Sequence, residues 1–174
     1  MKKIFAVSVL AALMPFVANA ATGATATTSF DVSMTIKTAC TVAASNVNLG
    51  TVAARRTTEL SGTTAIRVTC SKGTPYNIGL RSTRANAATN GTGTMSGSTG
   101  NADTIGYALF QTPDFSKAWG DTATSIDVGN GAGRTSDDGL TAFSHSVYVK
   151  VPGSEITNKT ADTYRDTITV TVNY

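Results

Sequence analysis

TYRDTITVTVNY, residues 163–174, alternates apolar and polar side chains more regularly than any other stretch of the 174-residue sequence. Tyr164, Ile168, Val170, Val172 and Tyr174 share one face, with Asp166 among them, and threonines fill much of the other. A period of two over this length predicts a β-strand with one face made for a core. The pattern runs to the last residue of the sequence. In an immunoglobulin-like sandwich a further strand usually covers that edge, so an unpaired apolar edge over Ile168, Val170, Val172 and Tyr174 is expected, a liability that something else must cover.

Shorter runs of the same kind precede it. Ile66, Val68 and Cys70 alternate with Arg67 and Thr69; Tyr76, Ile78 and Leu80 with Asn77, Gly79 and Arg81; Val147, Val149 and Val151 with Tyr148 and Lys150. Clusters of Gly, Asn, Asp and Ser separate them, the pattern of an all-β sandwich or barrel. No window carries an amphipathic helix of three or more turns, and the abundance of Thr and Gly opposes one. Residues 85–103, ANAATNGTGTMSGSTGNAD, hold almost no large apolar group and read as a long surface loop. Residues 129–139, GNGAGRTSDDG, read as a second loop with turn chemistry.

The chain opens with Lys2 and Lys3, a mostly apolar run from Ile4 to Val17, and Ala18-Asn19-Ala20. This is the plan of a secretory signal peptide over residues 1–20, cleaved after Ala20; the apolar run is too short, and Pro15 interrupts it, for a membrane anchor. Removing 20 of 174 residues leaves 154, enough for one domain with its own core. The whole chain holds 14 basic and 11 acidic residues; without Lys2 and Lys3, 12 stand against 11. A net charge of +1, with no basic cluster beyond Arg55-Arg56, gives no footprint for nucleic acid or an anionic membrane.

Cys40 and Cys70 are the only cysteines in a chain bound for an oxidising compartment, so one structural disulfide is expected. Their separation is far from a redox C-x-x-C, and two cysteines with one distant histidine do not make a metal site. Catalysis finds no residue set either. His145 lies between Ser144 and Ser146, which point to the opposite face of a strand. Asp137 and Asp138 sit in a glycine-rich turn where carboxylates commonly bond their own backbone. A nucleophile elbow and a phosphate loop are both missing. Trp119, in KAWGD, reads as a core or edge anchor before it reads as a sugar platform. A cofactor-free interaction or structural protein is the expectation.

Near the beginning, Phe30, Val32, Met34 and Ile36 alternate with Asp31, Ser33, Thr35 and Lys37, a second strand pattern behind the small polar leader ATGATATT at 21–28. It could pair within its own chain or with another.

Five stretches carry a resemblance: CTVAASNVNLGT at 40–51, IRVTCSKGTPYNIGL at 66–80, GYALFQTPDFSKAWGD at 106–121, VYVKVPG at 147–153 and TYRDTITVTVNY at 163–174. In this order the chain resembles the spore coat U domain family, which includes pilin subunits of archaic, Csu-type chaperone-usher pili. Two glycines frequent in that family are replaced here by Thr163 and Val149. The resemblance implies an incomplete immunoglobulin-like β-sandwich over residues 38–174, completed by donor-strand addition. A flexible leader and N-terminal donor strand at 21–37 would supply Phe30, Val32, Met34 and Ile36 as donor residues to a neighbour. The implied partners are a periplasmic chaperone, an outer-membrane usher and neighbouring pilins. The implied place is the periplasm and then a surface fimbria serving adhesion and biofilm formation. A self-complemented coat or matrix protein keeps the same fold, and a carbohydrate-binding module using Trp119 and loop tyrosines belongs to another class.

Overall fold

The structure, a computed structural model, describes residues 23–174. The expected signal peptide and its Ala20 junction lie outside the described residues. Residues 23–39 carry no strand, although the alternation from Phe30 to Ile36 has the period of one. A strand exists only as half of a ladder, and this segment has none.

From Cys40 onward the chain is all-β with one short helix. The elements in order are β1 (Cys40–Ala44), β2 (Leu60–Cys70), β3 (Pro75–Ser82), β4 (Thr92–Gly97), β5 (Thr104–Phe110), β6 (Ala132–Thr135), β7 (Phe143–Val151), α1 (Gly153–Ile156), β8 (Tyr164–Arg165) and β9 (Ile168–Asn173). They build two antiparallel sheets, β1-β2-β7-β5-β4-β8 and β6-β3-β9. This is an immunoglobulin-like sandwich with β9 at the edge of the smaller sheet. Alternation places Ile66, Val68 and Cys70 of β2, Tyr76, Ile78 and Leu80 of β3, and Val147, Val149 and Val151 of β7 in the core between them. Trp119 is the largest side chain in that core, and its indole Nε1 donates to the Ile78 carbonyl at 2.9 Å.

Two expected loops contain strands. The 85–103 segment holds β4, which pairs on one side with β5 and on the other with β8. Its small residues are what fit there. A Cβ at Gly93 would collide with the Tyr107 hydroxyl, and one at Gly97 with Asn101 and Asp162. The Asp162 carboxylate accepts from Ser98 Oγ, the Thr99 amide and hydroxyl, and Asn101 Nδ2, turning the low-complexity stretch after β4 into a pinned corner. Those donors hold Asp162 well below the usual carboxylate pKa range, the Thr99 amide foremost. The 129–139 segment likewise holds β6, paired with β3 from Ile78↔Ala132 to Pro75↔Thr135.

A third expectation changes more consequentially. The run 163–174 is two strands, because the chain crosses between sheets at Asp166-Thr167. β8 joins β4, and β9 joins β3 from Ser82↔Ile168 to Asn77↔Asn173.

Candidate functional site

The crossing residue turns a polar side chain inward. Asp166, its side chain 5% exposed, accepts from the Tyr107 hydroxyl at 2.5 Å and Ser82 Oγ at 3.0 Å, with Arg84 Nε at 3.5 Å. Its Oδ1 also accepts the Thr167 amide. Tyr107 belongs to one sheet and Ser82 to the other, so one carboxylate ties both sheets to the start of β9. Burial, then the Asp166 carboxylate, pushes the Tyr107 hydroxyl far above its ordinary pKa, which keeps it a donor. Periodicity did not reveal this cluster. Its trace in the sequence is an acid at an inward position of an otherwise apolar face.

Beyond Asp166, β9 alternates as expected, with Ile168, Val170 and Val172 turned toward the core and Thr169 and Thr171 toward solvent. The inward residues are only half-buried, whereas Ile78, opposite Val172 on β3, is 0% exposed. Among the described residues β9 pairs with β3 alone, so its other edge carries unpaired backbone groups along the strand. Tyr174, just past its end, is half exposed.

β1 is the corresponding edge of the larger sheet and among the described residues pairs with β2 alone, from Cys40↔Cys70 to Ala44↔Ile66. It lies alongside β9. Val42 is 45% exposed, although Val68, its partner across the ladder, is 1% exposed. The chain after β1 lays Val47, Leu49 and Val52 against the core half-buried. Gly62 of β2 makes the approach possible, since a Cβ there would meet Leu49 Cδ2 and Val47 Cγ2. Two adjoining sheet edges therefore share a row of apolar side chains that the domain itself does not finish covering.

Each wall is anchored at one end. Cys40 and Cys70 form a disulfide across the β1–β2 ladder, and the Ala39 amide donates to Ser71 Oγ beside it. Asp166 anchors β9 at the opposite end. In the N-terminal segment, Phe30, Val32, Met34 and Ile36 are 85%, 87%, 82% and 79% exposed. Four large apolar side chains at a period of two, all in solvent, form the largest unburied apolar set among the described residues.

The other candidates fall into structural roles. His145 is half-buried, with Nε2 3.0 Å from the Tyr76 hydroxyl and its ring edge-on to Phe143, while Ser144 and Ser146 are exposed. Burial lowers its pKa, and Arg134 lowers it further. A cavity of about 160 Å³ opens nearby among Tyr76, Arg134, Asp137 and Phe143. Asp138 accepts from the Leu140 and Thr141 amides and the Thr141 hydroxyl, which holds its pKa at about 2, and Asp137 pairs with Arg134. Asp138 thus shows the turn chemistry expected of it, while Asp137 is taken up by an ion pair. Trp119, closed into the core, has no indole face left for a sugar.

No curated protein matches the chain. Among solved structures, the fold is similar to that in the crystal structure of the CsuC–CsuE chaperone–tip adhesion subunit pre-assembly complex from archaic chaperone-usher Csu pili of Acinetobacter baumannii. The TM-score is 0.51 at 23% identity, over 80% of this chain and 40% of that chain. The chain thus spans less than half the length of that neighbour. The family model for the Spore Coat Protein U domain matches residues 26–171, from the leader through β1 and both sheets into β9. With the match running through every element described above, the chain belongs to the Spore Coat Protein U domain family.

Proposed function

We propose that this protein is a pilin, a structural subunit without catalytic function, of a surface fimbria assembled by the chaperone-usher pathway through donor-strand exchange. The observation that carries the reading is the match between two incomplete surfaces. The exposed Phe30, Val32, Met34 and Ile36 alternate at the period of a strand, and the adjoining edges β9 and β1 present half-covered apolar side chains beside unpaired backbone. Family membership and the fold shared with a chaperone-bound pilus subunit support it.

In this reading residues 1–20 direct export and are removed after Ala20, residues 21–37 are leader and donor strand, and residues 38–174 are the acceptor domain. A periplasmic chaperone covers Ile168, Val170, Val172 and Tyr174 until the usher replaces it with the next subunit's donor strand. Backbone bonds then give affinity, and alternate side chains set register. Four buried apolar side chains contribute about 6 to 12 kcal/mol gross before ordering costs, and each ladder hydrogen bond adds about 0.5 to 1.5 kcal/mol. Such a joint is long-lived without a covalent bond. The fibre serves attachment and biofilm formation.

The test is an unheated denaturing gel of surface-sheared material from the wild type and from a variant lacking residues 28–36. A ladder of multimers that collapses on heating and is absent in the deletion is expected. Monomer alone in the wild type, with a deletion variant that cannot fold, would show that the strand completes its own domain and would favour a secreted coat protein.

A further inference from the structure

Resting on the pilin reading, the strand registers dictate which ends of two neighbouring domains meet. One end of the sandwich gathers the Cys40–Cys70 bridge, the end of β9 at Asn173 and the 136–142 loop, since Asn77 faces Asn173 and the adjacent Pro75 faces Thr135. At the opposite end Ser82 faces Ile168. Every pairing between named strands is antiparallel. A donor strand that continues this rule beside β9 runs from the Asn173 end to the Ile168 end of its host. Its Ile36 then emerges beside Ile168, while Cys40 of the same chain belongs to the disulfide end of the donor's own domain. Only Lys37, Thr38 and Ala39 lie between, a reach of at most about 14 Å. The disulfide end of each subunit is therefore drawn against the Ile168 end of its host.

The two ends complement each other. On the disulfide end Leu140 is 87% exposed at a loop tip, held in place because the Leu140 and Thr141 amides both donate to Asp138 Oδ1. Asp138 and Asp137, the latter paired with Arg134, place two carboxylates on that loop. Beside Ser82 on the other end opens a cavity of about 570 Å³, lined by small side chains, Ala85, Ala87 and Ala88 among them, and by Arg84. Arg84 Nε has no hydrogen-bond acceptor among the described residues and only the 3.5 Å ion pair to Asp166. We infer that in the fibre Leu140 of one subunit seats in the cavity beside Ser82 and Arg84 of the subunit that holds its donor strand, with Asp137 and Asp138 facing Arg84. The partner is a second pilin of this kind, and the contact converts a flexible tether into an end-to-end joint.

Fibres carrying Leu140→Cys with Ala88→Cys, compared with Leu140→Cys and Thr63→Cys, test this on non-reducing gels after mild oxidation and heating. All three positions are exposed in the isolated domain, and Thr63 lies on the face of β2 away from both ends. A heat-resistant, thiol-sensitive ladder for the first pair and none for the second is expected. Heat-labile multimers without a heat-resistant ladder, or equal cross-linking in both pairs, would overturn the docking and leave donor-strand exchange standing. Absence of even heat-labile multimers in the wild type would overturn both. As a second reading, Leu140→Asp fibres should dissociate at lower temperature than the wild type while the monomers melt alike; equal dissociation temperatures would sink the contact.

Discussion

His145 is the one histidine of the sequence, and its surroundings make it a reporter of acid sensitivity. The half-buried ring meets Tyr76, Trp119 and Phe143, with Arg134 the nearby charge, and its folded pKa lies below the ordinary value of about 6.5. A histidine depressed on folding takes up its proton more readily in the unfolded chain. Its effect on stability is therefore nil well above pH 6.5, grows unfavourable as pH falls through that value, and levels off below the folded pKa. Melting temperature should drop between pH 7.5 and 5.5, and His145→Gln should flatten that portion of the profile; an unchanged slope would assign the acid sensitivity elsewhere. Asp166 is the other residue with disproportionate effect. Asp166→Ala would leave the buried Tyr107 hydroxyl without its acceptor and Arg84 without its ion-pair partner, at a cost of about 3 kcal/mol. Urea denaturation measures it, and a loss under 1 kcal/mol would mean that neighbouring groups or water replace the carboxylate.

At the scale of elements, the two faces of β9 and the N-terminal segment predict opposite mutational behaviour. Val32→Asp and Met34→Asp alter side chains that are more than 80% exposed in the isolated chain, so the monomer's melting temperature should stay within about 1 °C of wild type. In the donor-strand reading the same substitutions put a charge where a donor residue is buried in the neighbour, and multimers on the unheated gel should disappear. Val170→Asp should also abolish multimers, but at the expense of the domain's own stability, because Val170 already packs half-buried against the core. Loss of folding in Val32→Asp would instead make the segment part of its own domain. Adjacent in sequence, β8 and β9 serve different ends: β8 closes the larger sheet against β4, while β9 presents the free edge.

For the molecule as a whole, the donor-strand reading predicts that complementation stabilises. A synthetic peptide of residues 28–37 added to the domain lacking that segment should stabilise it by about 2.7 kcal/mol at one hundred times Kd, seen as a melting temperature that rises with peptide concentration. A scrambled peptide with the same composition but no alternation should not. The disulfide acts at the same scale. It closes a separation of 30 residues and holds β1 at the groove's entrance, so replacing Cys40 and Cys70 together by Ser should cost about 3 to 4 kcal/mol and lower the periplasmic yield. Equal yield and melting temperature would remove the bridge from the account.

Local periodicity and compartment chemistry are legible in the amino-acid order alone. The inward residues of β2, β3 and β7 were legible because alternation assigns faces without knowledge of partners, and the Cys40–Cys70 pair because two cysteines in an oxidising compartment have one simple outcome. Phe30, Val32, Met34 and Ile36 were legible as a strand pattern, though not as a strand, since ladder hydrogen bonds come from another segment. That ANAATNGTGTMSGSTGNAD contains β4 comes from long-range packing: a strand of Thr, Gly and Ser shows no hydrophobic alternation, and its place is set by the room that Tyr107 needs at Gly93. Likewise only the structure decided that TYRDTITVTVNY divides at Asp166. The bend depends on acceptors for Ser82 and Tyr107, 84 and 59 residues away along the chain, and a pairing of that range leaves no periodic trace in the sequence around it.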